Sequence, residues 1–508
     1  MTGVLALDIG TSAVKGVLFD IRGEVRATAQ EEYALHTPAP DVVELDPGVY
    51  WEKTRRVIGR ILSAPGVRPG DIRSVGVTSQ GESLVVLDGG RAPLRPVLVW
   101  LDNRARAETE EIARRFDTAT VYRVTGQNEI LPTWTAAKLL WLRRREPEVF
   151  RRARMFLMVE DLLLYRLTGR FITDRALNPS TLYFDITTGE WWGEMLDFLG
   201  LSERLLPELR WSGEESLPLL PAAAAATGLH PETRVTTAPI DQVAGTVGAG
   251  NLEESAVTES TGSALAICAT SPRPLYDPRR RAPCQLHGAR GRYVLMPWVH
   301  TGGMVLQWFR DRLGCGLDYD LLAGEAAGVA PGAEGLVFLP HLAGAGCPVM
   351  NPRARGVFFG MDLHHRRAHF VRAVLESVAF VLKQNLEFLA SLGLRPGEIR
   401  SLGGGARSDL WLQIKADVLG LPVTSMACEE STCLGAAMLS CVATGVYPDL
   451  HAAAAAMVRA RRRVEPRPGQ AEAYGEAYRR YLELDGDLQV LFGRQGRDDA
   501  AREATTPF

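Results

Sequence analysis

The sequence predicts an α/β protein of two duplicated domains with a cleft between them. A hairpin of two short apolar strands around a tight polar turn spans Val4–Asp20, and a second hairpin of the same kind begins at Ala256, about half a chain later. The 508 residues are too many for one hydrophobic core and suit two domains of roughly 250 residues each. We therefore expect a first domain at residues 1–250 and a second, repeated domain at residues 251–492.

Composition and charge narrow the class of protein. With 46% hydrophobic and 23% charged residues, the chain is typical of a soluble globular protein. The net charge of −3 gives no electrostatic reason to expect a nucleic acid or an anionic membrane as partner. Seven cysteines without a C-x-x-C pair argue against a disulfide framework and a zinc site. Together with the lack of a basic-then-apolar leader, these features predict a cytosolic protein.

The turn of the first hairpin carries residues that suit a phosphate. Gly10 lets the backbone approach a ligand, while Thr11 and Ser12 add hydroxyl and amide donors. Lys15 adds a cation, and Asp8 stands at the strand end, where a carboxylate can hold Mg²⁺ through water. The alternative is an ordinary β-turn, but the second hairpin, with its Ser-Thr-Gly-Ser turn at residues 260–263, favours a phosphate site.

The first domain continues with further strands and one amphipathic helix. Asp46 and Pro47 are start signals for a helix that we expect over Pro47–Leu62. The apolar runs predict strands near Glu24–Ala29 and over Ile72–Thr78, Leu84–Leu87 and Leu98–Leu101. A mostly helical segment from Arg104 to about Gly200 is interpreted as an insertion that covers the sheet.

Polar side chains follow two of these strands and mark one pocket. Ligands of open α/β sheets lie at the ends of the strands. The residues that we expect to line the pocket are Gln80, Gly81, Glu82, Trp100, Asp102 and Arg104.

Asp241 is the candidate general base. It follows a strand at Val235–Pro239 and begins a helix, where the amide dipoles favour an anion. No neighbouring Lys or Arg in the sequence would pair with it, so its carboxylate could accept the proton of an attacking hydroxyl in phosphoryl transfer. The alternative role is a helix N-cap. Gln242 is expected to line the pocket beside it, and the domain boundary is expected near residues 248–252.

The second domain repeats this order of elements. We expect a strand at Arg292–Met296, a Gly302-Gly303 turn that enters a helix, a long helix over Phe370–Leu392, and strand Ile399–Leu402 followed by helix Asp409–Leu419. The glycines at 403–405 remove side chains where a flat purine or ribose would lie. No Walker loop and no dinucleotide fingerprint is present in the expected place. Residues 493–508 are polar and predicted to form a disordered tail.

Two further segments resemble signatures of the FGGY carbohydrate kinases. The segment Gly356–Met361, followed by His369–Ser377, is similar to the second signature of this family, and Thr135–Leu142 is similar to the first. The family is the sugar branch of the superfamily that also holds actin and the Hsp70 chaperones. The resemblance implies two actin-like ATPase domains of ribonuclease H type, ATP and Mg²⁺ as cofactors, and a homodimer.

The same resemblance assigns roles to residues of this chain. It implies that Asp241 is the catalytic base, that Asp8 is a catalytic residue near the metal and the phosphates, and that Trp100 and Asp102 line the sugar. Asp8 (through water) and Asp241 are the expected metal ligands. The residues expected to hold the nucleotide are Gly10, Thr11, Ser12, Lys15, Thr261, Gly262, Ser263, Gly303, Gln307, Gly404, Gly405, Ala406 and Asp409.

The substrate is predicted from Gln80-Gly81-Glu82. The overall pattern is similar to that of xylulokinases, which usually carry Gln-Met-His here, whereas Gln-x-Glu is similar to glycerol kinases. A carboxylate accepts hydrogen bonds from two hydroxyls where an imidazole makes fewer. We therefore expect D-xylulose, with another ketose or a polyol as the alternative. Two other classes stay open: a non-catalytic nucleotide switch, and a sugar sensor that has lost phosphotransfer, because Ser260 replaces the usual first glycine of its turn.

Overall fold

The computed structural model describes residues 3–503, with side chains for residues 3–493, and residues 504–508 of the predicted tail lie outside this range. The first fifteen strands are β1 (Gly3–Ile9), β2 (Ala13–Asp20), β3 (Val25–Glu32), β4 (His36–Ala39), β5 (Val42–Leu45), β6 (Ile72–Ser79), β7 (Val85–Leu87), β8 (Val97–Leu98), β9 (Met155–Leu157), β10 (Ile172–Asp174), β11 (Phe184–Asp185), β12 (Glu190–Trp191), β13 (Glu208–Arg210), β14 (Leu217–Pro218) and β15 (Arg234–Thr237). The others are β16 (Ala256–Thr261), β17 (Leu265–Ser271), β18 (Cys284–Leu286), β19 (Tyr293–Leu295), β20 (Trp298–Val299), β21 (Val337–Leu339), β22 (Val357–Phe359), β23 (Glu398–Leu402), β24 (Val423–Met426) and β25 (Ala460–Val464).

The α-helices alternate with these strands. They are α1 (Pro47–Leu62), α2 (Arg106–Arg115), α3 (Thr118–Thr125), α4 (Thr135–Arg145), α5 (Pro147–Arg152), α6 (Val159–Thr168), α7 (Gly193–Leu199), α8 (Pro221–Thr227), α9 (Asp241–Gly248), α10 (Met304–Arg312), α11 (Tyr319–Ala327), α12 (Arg367–Ser391), α13 (Asp409–Leu419), α14 (Ser431–Ala443), α15 (Leu450–Met457) and α16 (Gln470–Glu503). None of the helices within the described range is long and apolar enough to cross a membrane. Helix α16 includes eleven residues, 493–503, of the segment predicted to be a disordered tail.

The chain divides into two compact units. The first contains the described residues up to Glu253 together with Thr270–Leu295 and Glu430–Val458. The second contains Glu254–Ala269, Met296–Glu429 and the described residues from Arg459 onward. The predicted halves meet near the same residue, but the two later segments of the first unit were expected in the second domain.

The first unit is built on a mixed sheet with the strand order β14-β15-β6-β1-β2-β3. Strands β1 and β2 form the predicted antiparallel hairpin, in which Asp8 is paired with Lys15. Strand β6 lies parallel to β1, and β15 lies parallel to β6. The carboxyl ends of these three parallel strands therefore meet at one edge, which carries Asp8, Gln80 and the segment before Asp241.

The second unit repeats this topology. Strand β16 pairs antiparallel with β17 and parallel with β23, β23 pairs parallel with β24, and β24 pairs antiparallel with β25. The same sequence of antiparallel and parallel pairs occurs around β1 in the first unit. The structure thus confirms the predicted α/β fold with two duplicated domains.

Helix α1 has the predicted bounds, since its local signals are strong. The carboxylate of Asp46 accepts the amide of Gly48 at 2.7 Å, and Pro47 occupies the first turn. Its apolar face buries Tyr50, Val57 and Ile61 against the first sheet, where these side chains join the core of the unit.

Two segments depart from the prediction. The strand expected over Leu98–Leu101 is limited to β8, because the amide of Asp102 bonds to the carbonyl of Val99 at 2.9 Å and turns the chain. The insertion from Arg104 to Gly200 contains helices α2–α7 but also the short strands β9–β12. The insertion packs around a second apolar cluster, to which α4 contributes Leu139 and Leu142 and the residues at β7 and β8 contribute Leu84, Val86 and Leu98.

Helices α9 and α14 pack backbone against backbone. A Cβ atom at Gly248 would lie 1.9 Å from the carbonyl oxygen of Ser431, and one at Gly435 would lie 1.9 Å from that of Ala244. Only glycine permits this approach. Helix α14 therefore holds the helix that begins with Asp241 at a fixed place in the first unit.

Candidate active site

The turn of the first hairpin is held from both sides. The amide of Gly10 bonds to the carbonyl of Ala13 at 2.9 Å, and the amide of Tyr33 bonds to the carbonyl of Ser12 at 2.9 Å. The hydroxyl of Thr11 accepts the indole N–H of Trp100 at 2.8 Å. A residue of the predicted phosphate turn is thus hydrogen-bonded to Trp100, a residue of the predicted pocket, within the first unit.

Lys15 has an acidic partner that the sequence did not reveal. Its ammonium donates to Glu430 Oε2 at 2.7 Å, and both side chains are about one-third exposed. Glu430 is the residue before α14. A phosphate at this turn would therefore meet a lysine that is already engaged in an ion pair.

Asp8 combines burial with an acceptor atom that lacks a partner. Its Oδ1 atom is buried and forms no hydrogen bond within the described part of the chain. Burial and then the charge of Asp241 raise the pKa of Asp8 to about 7, against the opposing charge of Lys15. An orphaned carboxylate oxygen of this kind fits a ligand of a hard cation or of its bound water.

Asp241 occupies the first turn of α9. Its Oδ1 accepts the amide of Gln242 at 2.6 Å, and no Lys, Arg or His among the described residues forms an ion pair with it. Burial raises the pKa of Asp241 to about 6, although the Gln242 amide lowers it. The carboxylate is therefore available as a base near neutral pH, while Gln242 itself is exposed.

The segment Gln80–Glu82 forms a buried polar wall in the same unit. The side-chain amide of Gln80 donates through Nε2 to the hydroxyl of Tyr50 at 3.2 Å, while its Oε1 atom has no partner among the described residues. Burial raises the pKa of Glu82 to about 7, while the charge of Lys138 opposes the shift and that of Asp241 adds to it. Because Asp241 acts electrostatically on both Asp8 and Glu82, these three carboxyl groups share one region. Gly81 lies close to Ser180, since a Cβ there would be 3.3 Å from its hydroxyl.

Asp102 and Arg104 face each other. The Asp102 carboxylate accepts Nε of Arg104 at 2.9 Å and its terminal nitrogen at 2.7 Å, as well as the amide of Val43 at 2.7 Å. Arg104 also donates to Glu44 at 2.8 Å. The side chains of Asp102 and Arg104 are therefore already engaged in hydrogen bonds with protein groups. Their expected contacts with a sugar stay predictions, and so does that of Trp100.

The second unit brings most of the predicted nucleotide residues together. The carbonyl of Gly262 accepts the amide of Gly303 at 2.7 Å, and that of Ser263 accepts the amide of Gly302 at 2.8 Å, which ties the hairpin turn to the start of α10. A Cβ at Gly405 would lie 2.7 Å from Cβ of Thr261, so this position of the glycine corner, residues 403–405, must be free of a side chain. Gln307 is exposed one turn further along α10.

Two further residues predicted to hold the nucleotide, Ala406 and Asp409, contact arginines of strand β25. The carbonyl of Ala406 accepts a terminal nitrogen of Arg461 at 2.5 Å, and the carboxylate of Asp409 pairs with Arg462. Gly404 is exposed in the same corner. Ser260 pairs with Ala266 in the regular register of β16 and β17, so the serine does not disturb the hairpin.

Two buried lysines were missed as site residues. Lys138 of α4 donates to the carbonyls of Glu82 and Val99, both at 2.9 Å. Lys415 of α13 donates to Glu259 at 2.6 Å and to Thr261 at 2.9 Å. A lysine at an apolar helical position is the signal that could have found both, because a buried ammonium requires partners.

Comparison with known proteins gives the class and then the family. Solved sugar kinases share this two-domain α/β fold: the ligand-bound xylulose kinase of Lactobacillus acidophilus superimposes with a TM-score of 0.88 at 26% identity, over 97% of this chain and 100% of that one. The models of the N-terminal and C-terminal domains of the FGGY family of carbohydrate kinases match residues 3–248 and 260–444. The chain belongs to this family.

Relatives that are named for two different substrates are about equally similar to this chain. The xylulose kinase of Escherichia coli (strain K12) is 32% identical over 421 residues, which cover 82% of this chain and 84% of that protein. The gluconokinase of Bacillus licheniformis is 29% identical over 500 residues, which cover 96% of each chain. The chain is therefore an ATP-dependent carbohydrate kinase, and the names of its relatives leave its sugar open.

Proposed function

We propose that this kinase phosphorylates D-xylulose to D-xylulose 5-phosphate, with Asp241 as general base. The observation that carries the proposal is the Asp241 carboxylate, which has no cationic partner among the described residues and shares one region with Asp8 and the Gln80–Glu82 wall. The base accepts the proton of the sugar hydroxyl as its oxygen attacks the γ-phosphorus of ATP, while the bond from that phosphorus to the β–γ bridging oxygen breaks and ADP leaves.

Magnesium fits the acidic residues of the first unit. Asp8, with its unpartnered Oδ1, would hold the ion through water, and Asp241 would contribute its carboxylate. The bound ion would neutralise charge on the phosphates. The hairpin turn and glycine corner of the second unit are proposed to hold the nucleotide, a homodimer is the proposed assembly, and a cytoplasmic location is proposed on the cysteine usage.

Another ketose or a polyol is the second candidate substrate. The observation that favours it is Glu82, a buried acid at the position where xylulokinases usually carry histidine. The regular pairing of Ser260 with Ala266 supports a working phosphate turn and thus an active kinase over a sugar sensor.

A screen of acceptors tests the proposal. Release of ADP from ATP and Mg²⁺ is measured with pentuloses, hexuloses and polyols, and D-xylulose is expected to give the highest kcat/KM. The same screen on Asp241→Asn controls for contaminating kinases. A higher kcat/KM for another neutral sugar would reassign the substrate, and no ADP release with any of them would overturn the proposed function.

The rate is expected to depend on pH through Asp241. Because burial raises the pKa of Asp241 to about 6, the carboxyl is protonated at lower pH and cannot accept a proton. We expect kcat to increase roughly tenfold per pH unit below about 6 and to level off above about 7. Measurement of kcat at saturating ATP and sugar from pH 5 to 8 checks this. A profile that is flat or decreasing between pH 5 and 6 would contradict the role.

A further inference from the structure

The segment that leads to Asp241 is short and lies between a strand and a helix. Strand β15 ends at Thr237, which is paired with Val77 of β6, and helix α9 begins at Asp241. Residues 238–240 span the gap between the two elements. A segment between elements lacks the ladder bonds of a sheet, so other groups must hold its backbone in place.

One end of this segment is held by a buried carboxylate. The hydroxyl of Thr237 donates to Asp174 Oδ2 at 2.7 Å, and both residues are buried. The other oxygen of this carboxylate, Oδ1, accepts the hydroxyl of Ser212 at 2.8 Å and the amide of Ala176 at 2.9 Å. Asp174 is therefore a fixed anchor, and removal of the Thr237 hydroxyl would leave its Oδ2 atom without this donor in the interior.

A second hydroxyl holds the middle of the segment. Thr78 is fully buried, and its hydroxyl donates to the carbonyl of Pro239 at 2.7 Å. Proline carries no backbone N–H, so its carbonyl is the only backbone group through which hydrogen bonds can hold this residue. Thr78 lies on β6 just before the Gln80–Glu82 wall. This bond therefore joins the strand of that wall to the segment before Asp241.

The body of α9 has a separate support in α14. Close packing at Gly248 and Gly435 fixes the helix. The hydroxyl of Thr432 adds a longer bond of 3.3 Å to the carbonyl of Asp241. Ile240, the residue before the helix, has φ −47° and ψ 147°, which is not helical. The chain therefore turns directly before Asp241, and the hydroxyl bonds of the preceding segment act on that turn and not on the helix axis.

We infer that Thr78 and Thr237 are positioning residues, whose hydroxyls aim the Asp241 carboxylate at the attacking hydroxyl of the sugar. The inference rests on the proposed role of Asp241 as general base. A general base must lie within hydrogen-bond reach of the proton that it accepts, so a displacement on the order of 1 Å lowers the rate by about tenfold to a hundredfold. Neither threonine needs to touch the sugar or the nucleotide, because each acts through the backbone of residues 237–239.

Valine variants test the two hydroxyls, since valine keeps the branched shape of threonine and removes the donor. In Thr78→Val and Thr237→Val we expect kcat to decrease about tenfold or more, while KM for ATP and for the best acceptor of the screen changes by less than about threefold. Serine restores a hydroxyl, so Thr78→Ser and Thr237→Ser are expected to keep kcat within about threefold of the wild type. Release of ADP by the full chain measures all four variants.

The matched control is Thr233→Val. Thr233 is also buried and its hydroxyl donates to the carbonyl of Ile72 at 3.0 Å, but it precedes the opposite end of β15. Loss of this bond is expected to lower Tm about as much as the other two valine changes and to leave kcat within about twofold of the wild type. Scanning calorimetry compares the Tm values. Equal kcat in the three valine variants, or no recovery with serine, would overturn the inference.

The variant Asp241→Asn separates this inference from the proposed function. In that background the two valine changes are expected to lower the remaining rate by less than about twofold, because the base that they position is absent. The remaining rate is measured with enzyme in excess over ATP. A further decrease of about tenfold in the double variants would overturn the positioning role and leave Asp241 as the base. Wild-type turnover of Asp241→Asn alone would instead overturn the proposed function.

Discussion

Asp241→Asn is expected to lower kcat by several orders of magnitude while ATP binding stays nearly unchanged. The amide keeps the size and most contacts of the side chain but cannot accept the proton of the attacking hydroxyl. The nucleotide residues predicted in the second unit are not altered by the change. Steady-state kinetics and calorimetric titration with ATP measure the two effects. Wild-type turnover in this variant would remove Asp241 from the mechanism.

The stability of the Asp241→Asn variant is expected to differ from that of the wild type in a pH-dependent way. Burial raises the pKa of Asp241 from 3.8 to about 6, so the folded chain binds more protons than the unfolded chain between these values. The free energy of unfolding therefore decreases as pH rises from about 4 to about 6. Above about pH 6 the full cost of the buried Asp241 carboxylate is present. Asparagine removes it, so the variant is expected to be more stable than the wild type at pH 8 by on the order of 1–3 kcal/mol. A loss of stability at pH 8 would show that the kinetic defect is a folding defect.

Lys415→Met is expected to produce the largest loss of stability. The ammonium and the Glu259 carboxylate are both fully buried, 2.6 Å apart. The same carboxylate accepts the hydroxyls of Ser401 and Thr261. Removal of the cation leaves a buried negative charge uncompensated, which costs about 3–5 kcal/mol. Because Thr261 belongs to the hairpin turn, we also expect weaker ATP binding.

A matched lysine in the same unit serves as control. Lys383 is partly buried and its ammonium lies 4.6 Å from the centre of the Tyr478 ring, so Lys383→Met is expected to cost only about 1 kcal/mol. The double variant Lys415→Met with Glu259→Gln is expected to recover part of the loss, since it removes the orphaned charge. Scanning calorimetry of the full chain compares the variants. Equal effects of the two single changes would contradict a special role of the buried pair.

Local signals in the sequence were sufficient for much of the fold. Helices α1 and α13 have the predicted bounds, because Asp46 and Ser408 accept amides of the following helical turn. The two hairpins were found from their alternation of apolar strand and polar turn. By contrast, the ends of β8 depend on a turn at residues 99–102, and no local pattern sets the extent of a two-residue strand.

The hydrogen-bond partners of the candidate site residues could not be predicted from the sequence, and the roles of those residues stay predictions. Asp8, Glu82 and Asp241 lie at or just after three separate strands, whose parallel arrangement places their carboxyl ends at one edge of the first sheet. The pairing of Lys15 with Glu430 joins residues from opposite ends of the sequence. Such a contact is set by tertiary packing, so neither residue carries a local signal of it. Asp102 and Arg104 are only two residues apart, but the orientation of Arg104 also depends on Glu44, a distant residue that carries no local signal of this contact.

Helix α14 contacts both the helix that begins with Asp241 and, through Glu430, the side chain of Lys15. Through Gly435 it abuts the backbone of α9, whose first residue is Asp241, and through Glu430 at its amino end it anchors Lys15. A displacement of this helix is therefore transmitted at the same time to Asp241, the proposed proton acceptor, and to the turn that is the predicted phosphate site. The separation between them is therefore governed by interior close packing, which is stiff, and not by the pliancy of surface loops.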